Sequence, residues 1–223
     1  MFNFKKVGAI SIVLVLMSSC VSGILNVDQD RYSAGTSLDM LPSKVILGPP
    51  DGDRFGTLYA PVFVTDDTAF DLGRAIRIGE RAEFKTDPEH AVPDRYQIVW
   101  TGSRESIGRV VTNIIFRDEQ GDEAVRVRYE LNRIDVVWGD DVGIGYATLQ
   151  PNLPHEIRVV LDMNGGHSAG YAANVTITQG DEVILERNNL DFIDSAFRRL
   201  DVVEVRTQTN YDIKDLIAIT LQD

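Results

Sequence analysis

Residues 109 to 131, RVVTNIIFRDEQGDEAVRVRYEL, decide the fold. Val110, Ile114 and Phe116 alternate with Arg109, Asn113 and Arg117, and the run stops at Asp118-Glu119-Gln120-Gly121-Asp122. A period of two sends apolar side chains to one face of an extended strand and charged ones to the other. Beyond the turn the pattern returns, with Val125, Val127, Tyr129 and Leu131 alternating with Arg126, Arg128 and Glu130. The stretch therefore predicts an antiparallel hairpin with one face in a core and one in water.

Working outward, similar β-branched runs separated by turn residues fall at Thr57 to Thr65, Ala69 to Ile78, Tyr96 to Thr101, Ile134 to Trp138 and Glu156 to Met163. They continue at Ala173 to Gln179, Glu182 to Arg187, Leu200 to Thr207 and Asp212 to Leu221. So many short strands predict an all-β fold, a two-sheet antiparallel sandwich. Only Asn188 to Arg199 has helical spacing, through Leu190, Ile193 and Phe197, and it predicts a short helix capped by Asp191 or Asp194.

The N-terminal segment has a different character. Lys5 and Lys6 precede an apolar stretch from Val7 to Met17, followed by Ser18, Ser19 and the only cysteine of the chain, Cys20. The stretch is shorter than the roughly 20 residues of a spanning helix and has the anatomy of an export signal. Met17-Ser18-Ser19-Cys20 resembles the lipobox of bacterial lipoproteins, with Met17 where that pattern usually has Leu. The resemblance implies a signal peptide over 1–19, acylation of Cys20, and a cell-envelope protein held to the membrane by its N-terminal lipid. Neither Val21 nor Ser22 is Asp, which by resemblance to lipoprotein sorting patterns implies the outer membrane if the host has two membranes. Residues 20–43, with scattered Ser, Gly, Asp and Asn, are expected to be a lipidated tether, and 44–223 one sandwich domain entered through the turn Pro49-Pro50-Asp51-Gly52.

A net charge of -12 on 223 residues argues against a nucleic-acid partner, which needs a concentrated basic surface. With no second cysteine there is no internal disulfide, and stability must come from packing.

From Phe55 onward the strand order resembles the concanavalin A-like lectin/glucanase and laminin G-like jelly roll. The resemblance rests on the hairpin from Asn113 through Arg128, on His155 to Asp162 followed by Asn174 to Leu185, and on Tyr211 to Ile219. It implies carbohydrate binding, polysaccharide cleavage or adhesion, since the architecture hosts all three.

The acidic strand motif of the family's hydrolases is absent. Asp201 with Glu204, and Glu182 with Glu186, place acids on strands without a third at the family spacing, and both pairs are expected at solvated strand edges. The Gln-x-His strand of its lyases is also missing around His90, His155 and His167. No metal or other cofactor is expected, although the acidic turns Asp51-Gly52-Asp53 and Asp140-Asp141 leave calcium open. The candidate ligand-binding surface is the polar hairpin face, Arg109, Asn113, Arg117, Arg126, Arg128 and Glu130, whose arginines would grip an anionic glycan. The competing expectation, ranked ahead, is that these arginines pair with carboxylates across strands. Trp100 and Trp138 are expected in the core rather than as sugar platforms. A non-catalytic carbohydrate or surface-ligand module ranks first. A polysaccharide-active enzyme and a structural envelope lipoprotein with a protein partner follow.

Overall fold

The computed structural model describes residues 22–27, 29–36, 45–46, 62–66, 72–86, 95–104, 111–139, 143–150, 153–164 and 171–221. The expected signal peptide, Cys20, Arg109, His90, His167 and both candidate calcium turns lie outside the described residues.

Two antiparallel sheets pack face to face. The first contains β1 (Ser22–Val27), β3 (Phe63–Thr65), β4 (Ala75–Ile78), β6 (Arg95–Arg104), β11 (His155–Asp162), β12 (Ala172–Gln179), β13 (Glu182–Leu190) and β15 (Tyr211–Leu221). The second contains β2 (Val45–Ile46), β5 (Arg81–Lys85), β7 (Val111–Arg117), β8 (Glu123–Glu130), β9 (Arg133–Trp138), β10 (Gly143–Thr148) and β14 (Val202–Thr207). Across the second sheet the order is β10-β9-β8-β7-β14-β5-β2, so the long hairpin β7-β8 sits near its middle.

Alternation builds the core between the sheets. Ile114 and Phe116 of β7 and Val125, Val127 and Tyr129 of β8 are buried against Ile98 and Trp100 of β6 and Ile157, Val159 and Leu161 of β11. Trp100 meets Phe116 at a ring distance of 5.9 Å. Leu131 is a correction to the hairpin pattern. It sits in the turn after β8 at φ 57° and is 44% exposed, because the chain reverses there instead of continuing the strand.

Two further expectations are overturned. Asn188–Leu190 continues β13, and the residues up to 201 form an irregular crossing rather than a helix. Backbone bonds from Ile193 to Ala124 and from Asp194 to Glu123 hold that crossing to the second sheet, and these outweigh a weak helical spacing. The expected tether is also partly structural: Ser22–Val27 forms β1 along β15, and Leu25 is buried. Gln29 adds a side-chain bond to Asp215 at 2.9 Å.

Four polar side chains inside the sandwich are joined by a chain of hydrogen bonds. Trp100 Nε1 donates to Tyr211 Oη at 2.9 Å, Tyr211 and Tyr129 hydroxyls are 3.0 Å apart, and Tyr129 Oη lies 2.7 Å from His155 Nε2. An indole can only donate, so one direction satisfies every proton: Trp100 to Tyr211, Tyr211 to Tyr129, and Tyr129 to an accepting His155 Nε2. Burial pushes the Tyr211 phenol up to about 12 and the Tyr129 phenol well above its ordinary value, keeping both as donors.

Gly102 makes room for this chain. A Cβ there would lie 2.1 Å from Tyr211 Oη and 3.0 Å from His155 Nε2. Gly102→Ala is expected to cost about 1–3 kcal/mol in a urea unfolding titration, as overpacking does. An unchanged midpoint would show that Tyr211 moves aside freely.

Candidate functional site: the outer face of the second sheet

Register assembles this face. One row across it runs Glu83, Glu204, Ile115, Arg126, Val137 and Ile144, from β5 to β10. The next runs Arg81, Arg206, Asn113, Arg128, Asp135 and Tyr146. Asn113, Arg117, Arg126, Arg128 and Glu130 therefore do share one face.

The arginines on that face are engaged. Arg126 contacts Glu123 at 2.6 Å, Arg128 contacts Glu130 at 2.6 Å and approaches Asp135 at 4.0 Å, and Arg133 also holds Asp135. Arg117 bridges Glu83 at 2.6 Å and Glu204 at 2.9 Å. Cross-strand pairing, the competing expectation, is what the geometry shows for Arg117 and, at 4.0 Å, for Arg128 with Asp135, whereas Arg126–Glu123 and Arg128–Glu130 are pairs within β8.

Glu204 departs from the expected solvated edge. Its strand, β14, is flanked by β7 and β5, and its side chain is 0% exposed beneath Arg81, Arg117 and Arg206. Buried charge is retained only where partners replace water, and here three guanidiniums do so. Glu83 and Glu204 are cross-strand neighbours that share Arg81 and Arg117. A carboxylate pair for glycoside cleavage must reach the substrate, and Glu204 is closed off by its arginines. Glu182 and Glu186 fit their expectation, being exposed on the edge strand β13.

A cleft of about 470 Å³ opens where this face meets the end of the sandwich. Val202 floors it between Lys85 and Arg117 in register, and Glu83, Thr86, Glu119 and Asp201 complete its lining. Asp201 accepts from Arg199 Nε at 2.6 Å and from the Glu119 backbone N–H at 3.1 Å. Burial nevertheless holds its carboxyl above the ordinary value, with the Arg199 bond acting in the opposite direction. Lys85 is exposed and has no ion pair among the described residues.

At the far edge, Tyr146 is 61% exposed, the one aromatic ring more than half exposed among the described residues. The Arg133 guanidinium stacks on it at 4.4 Å, and Ile144 is exposed beside it. Trp100 is fully buried and Trp138 partly so, both packed with the core. Lys85 and Tyr146 escaped the sequence reading because β5 is short and charged (RAEFK), and β10 (GIGYAT) carries Gly145 where an inward apolar residue would show alternation. A Cβ on Gly145 would lie 2.5 Å from Arg187 Nε of β13, so the glycine lets that side chain cross between the sheet edges.

Among the described residues no cluster of three His, Cys, Asp or Glu could hold a metal ion. Nor, among them, is any helix long and apolar enough to cross a membrane.

No family model matches the sequence, and no curated protein is similar to it. Solved structures do share its architecture. A GH131 β-glucanase catalytic domain from Podospora anserina aligns with TM-score 0.51 and 9% identity over 70% of this chain and 78% of that one. The PL-14 alginate lyase from Aplysia kurodai aligns with TM-score 0.50 and 11% identity over 71% and 87%. The binding domain of Botulinum neurotoxin DC, solved with rat synaptotagmin II, aligns with TM-score 0.53 and 10% identity over 91% of this chain, which spans only 49% of that domain. At these identities the likeness is one of fold, and the chain is an antiparallel jelly-roll β-sandwich.

Proposed function

We propose that this domain is a non-catalytic carbohydrate-binding module of the cell envelope, anchored by lipid on Cys20. It binds its ligand along the outer face of the second sheet. The observation that carries the reading is Tyr146, a solvent-facing ring on the same face as the Lys85 cleft. Exposed aromatics offer sugar rings a flat apolar surface at small entropic cost. The fold is one that a named β-glucanase and a named alginate lyase use on polysaccharides, so a saccharide is the ligand class to test first. Binding is favoured over cleavage because Glu83, Glu204 and Asp201 are all held by arginines.

A glycan array probed with the Cys20→Ser protein is the direct test. Tyr146→Ala is expected to weaken binding about tenfold, the scale of one aromatic contact. Lys85→Ala should reduce the salt dependence if the sugar is anionic. Binding that ignores both changes, or turnover of any polysaccharide, would sink the proposal. Membrane attachment is tested separately: Cys20→Ser should move the protein from the detergent phase to the aqueous phase without altering its fold, because acyl chains contribute about 0.8 kcal/mol per buried methylene. Retention in the detergent phase would discard the lipid.

A further inference from the structure

We infer that the domain stands end-on to the bilayer, with the end bearing the Lys85–Asp201 cleft against the lipid headgroups and the end bearing Leu153 and Glu130 facing away. This rests on the acylation of Cys20 proposed above. It goes beyond that reading by fixing which surface meets the membrane.

Connectivity supplies the constraint. The strand β1 begins at Ser22, so Val21 alone separates it from Cys20. Two Cα steps reach at most about 7 Å, so the lipid-bearing residue stays beside the start of β1. Ser22 pairs with Thr220, which places that start where β15 ends, and Leu221 in turn pairs with Arg95 at the start of β6. Arg95 also faces Asp162, the last residue of β11.

The cleft lies at this same end. From Leu190, which pairs with Ala173 beside the start of β12, the chain crosses the end of the sandwich and enters β14 at Val202, the floor of the cleft. On the way it bonds to Glu123 and Ala124 at the start of β8. By contrast, Glu130 lies at the opposite end of β8, and Leu153 precedes the opposite end of β11.

The crossing also has a side-chain composition suited to a headgroup layer. Arg198 is exposed, has no ion pair among the described residues, and lies 5.4 Å from the Tyr171 ring. Tyr171 stacks on Phe192 at 5.6 Å. A ring with an apolar body and a polar tip, with a guanidinium beside it, fits the boundary between apolar and wet layers. Asp191, Asp194 and Glu119 stand at the same end, so anionic lipid gains nothing there from net charge. The covalent tether sets the pose, and salt should leave it unchanged.

Two consequences follow for the binding face. A saccharide entering the cleft is met at the headgroup layer. Tyr146, in the row of Asn113 and thus four residues along the strands from Arg117, stands up to about 13 Å further out.

The test uses the lipidated protein in phosphatidylcholine vesicles. Acylation leaves no free thiol, so Ser195→Cys and Leu153→Cys can each be labelled with a donor dye and read against an acceptor on the headgroups. The length of β11 separates the two ends by roughly 24 Å, enough for energy transfer to distinguish them. The Ser195 label should transfer strongly and the Leu153 label weakly, at both low and high salt. Ten Gly-Ser residues inserted between Val21 and Ser22 should abolish the difference. Equal or reversed transfer in the protein with its natural spacing would overturn the orientation. Protein that fails to float with the vesicles would instead overturn the acylation, a result seen before any transfer is measured.

Discussion

Glu204→Ala is expected to lower stability by about 3–5 kcal/mol, the cost of breaking a buried ion network by removing one partner. The carboxylate is fully buried and holds Arg81 at 2.7 Å and Arg117 at 2.9 Å, with Arg206 as a third partner. Of these, Arg81 is itself nearly buried and also holds Glu83 at 2.6 Å. Removing Glu204 takes a carboxylate from both Arg81 and Arg117 where water has little access to replace it. Arg206→Ala is the control, because Arg206 is 49% exposed and the pair it loses is the kind worth about 1 kcal/mol or less. Urea midpoints at constant slope separate the two. If Glu204→Ala costs no more than Arg206→Ala, the network is ornamental to stability and its carboxylates are open to another use.

The same network shows what the sequence could and could not convey. Alternation in residues 109 to 131 was enough to predict the β7-β8 hairpin, because burial on one face leaves a local imprint every second residue. It also placed Arg117, Arg126 and Arg128 on one surface. What Arg117 touches is set by register between distant segments: Glu83 meets Glu204 across β5-β14, and Glu204 meets Ile115 across β14-β7. No local pattern records such pairings, so Glu204 read as an edge residue although it lies on an interior strand. Tyr146 was invisible for a local reason. Its strand carries Gly145 where a buried apolar residue would complete the period of two, and the glycine is there for Arg187. The strand β1 was missed because it is an extra ribbon laid along β15, whose partner is nearly two hundred residues away.

Acid should destabilise this fold through His155 before it acts through most carboxylates. Burial, with repulsion from Arg104 second, lowers the imidazole from 6.5 to about 3. The groups facing it are the neutral hydroxyl of Tyr129, the phenol of Tyr211 and the Arg104 guanidinium, none of which stabilises an imidazolium. In the unfolded chain the ring takes up a proton near pH 6.5, whereas in the fold it stays neutral down to about 3. The unfolded state therefore binds more protons throughout that interval, and stability is full above 6.5 and falls as pH drops. The slope is about 1.4 kcal/mol per pH unit, giving a loss of about 2 kcal/mol by pH 5 and roughly 4–5 kcal/mol by pH 3. His155→Gln keeps an acceptor for the Tyr129 hydroxyl but cannot titrate. Its urea midpoints should start lower at pH 7.5 and change less between 7.5 and 5, where few carboxylates protonate. Parallel curves for the two proteins over that range would mean that the imidazole is hydrated in the native state, and that the Tyr129–His155 end of the hydrogen-bonded chain is open to water.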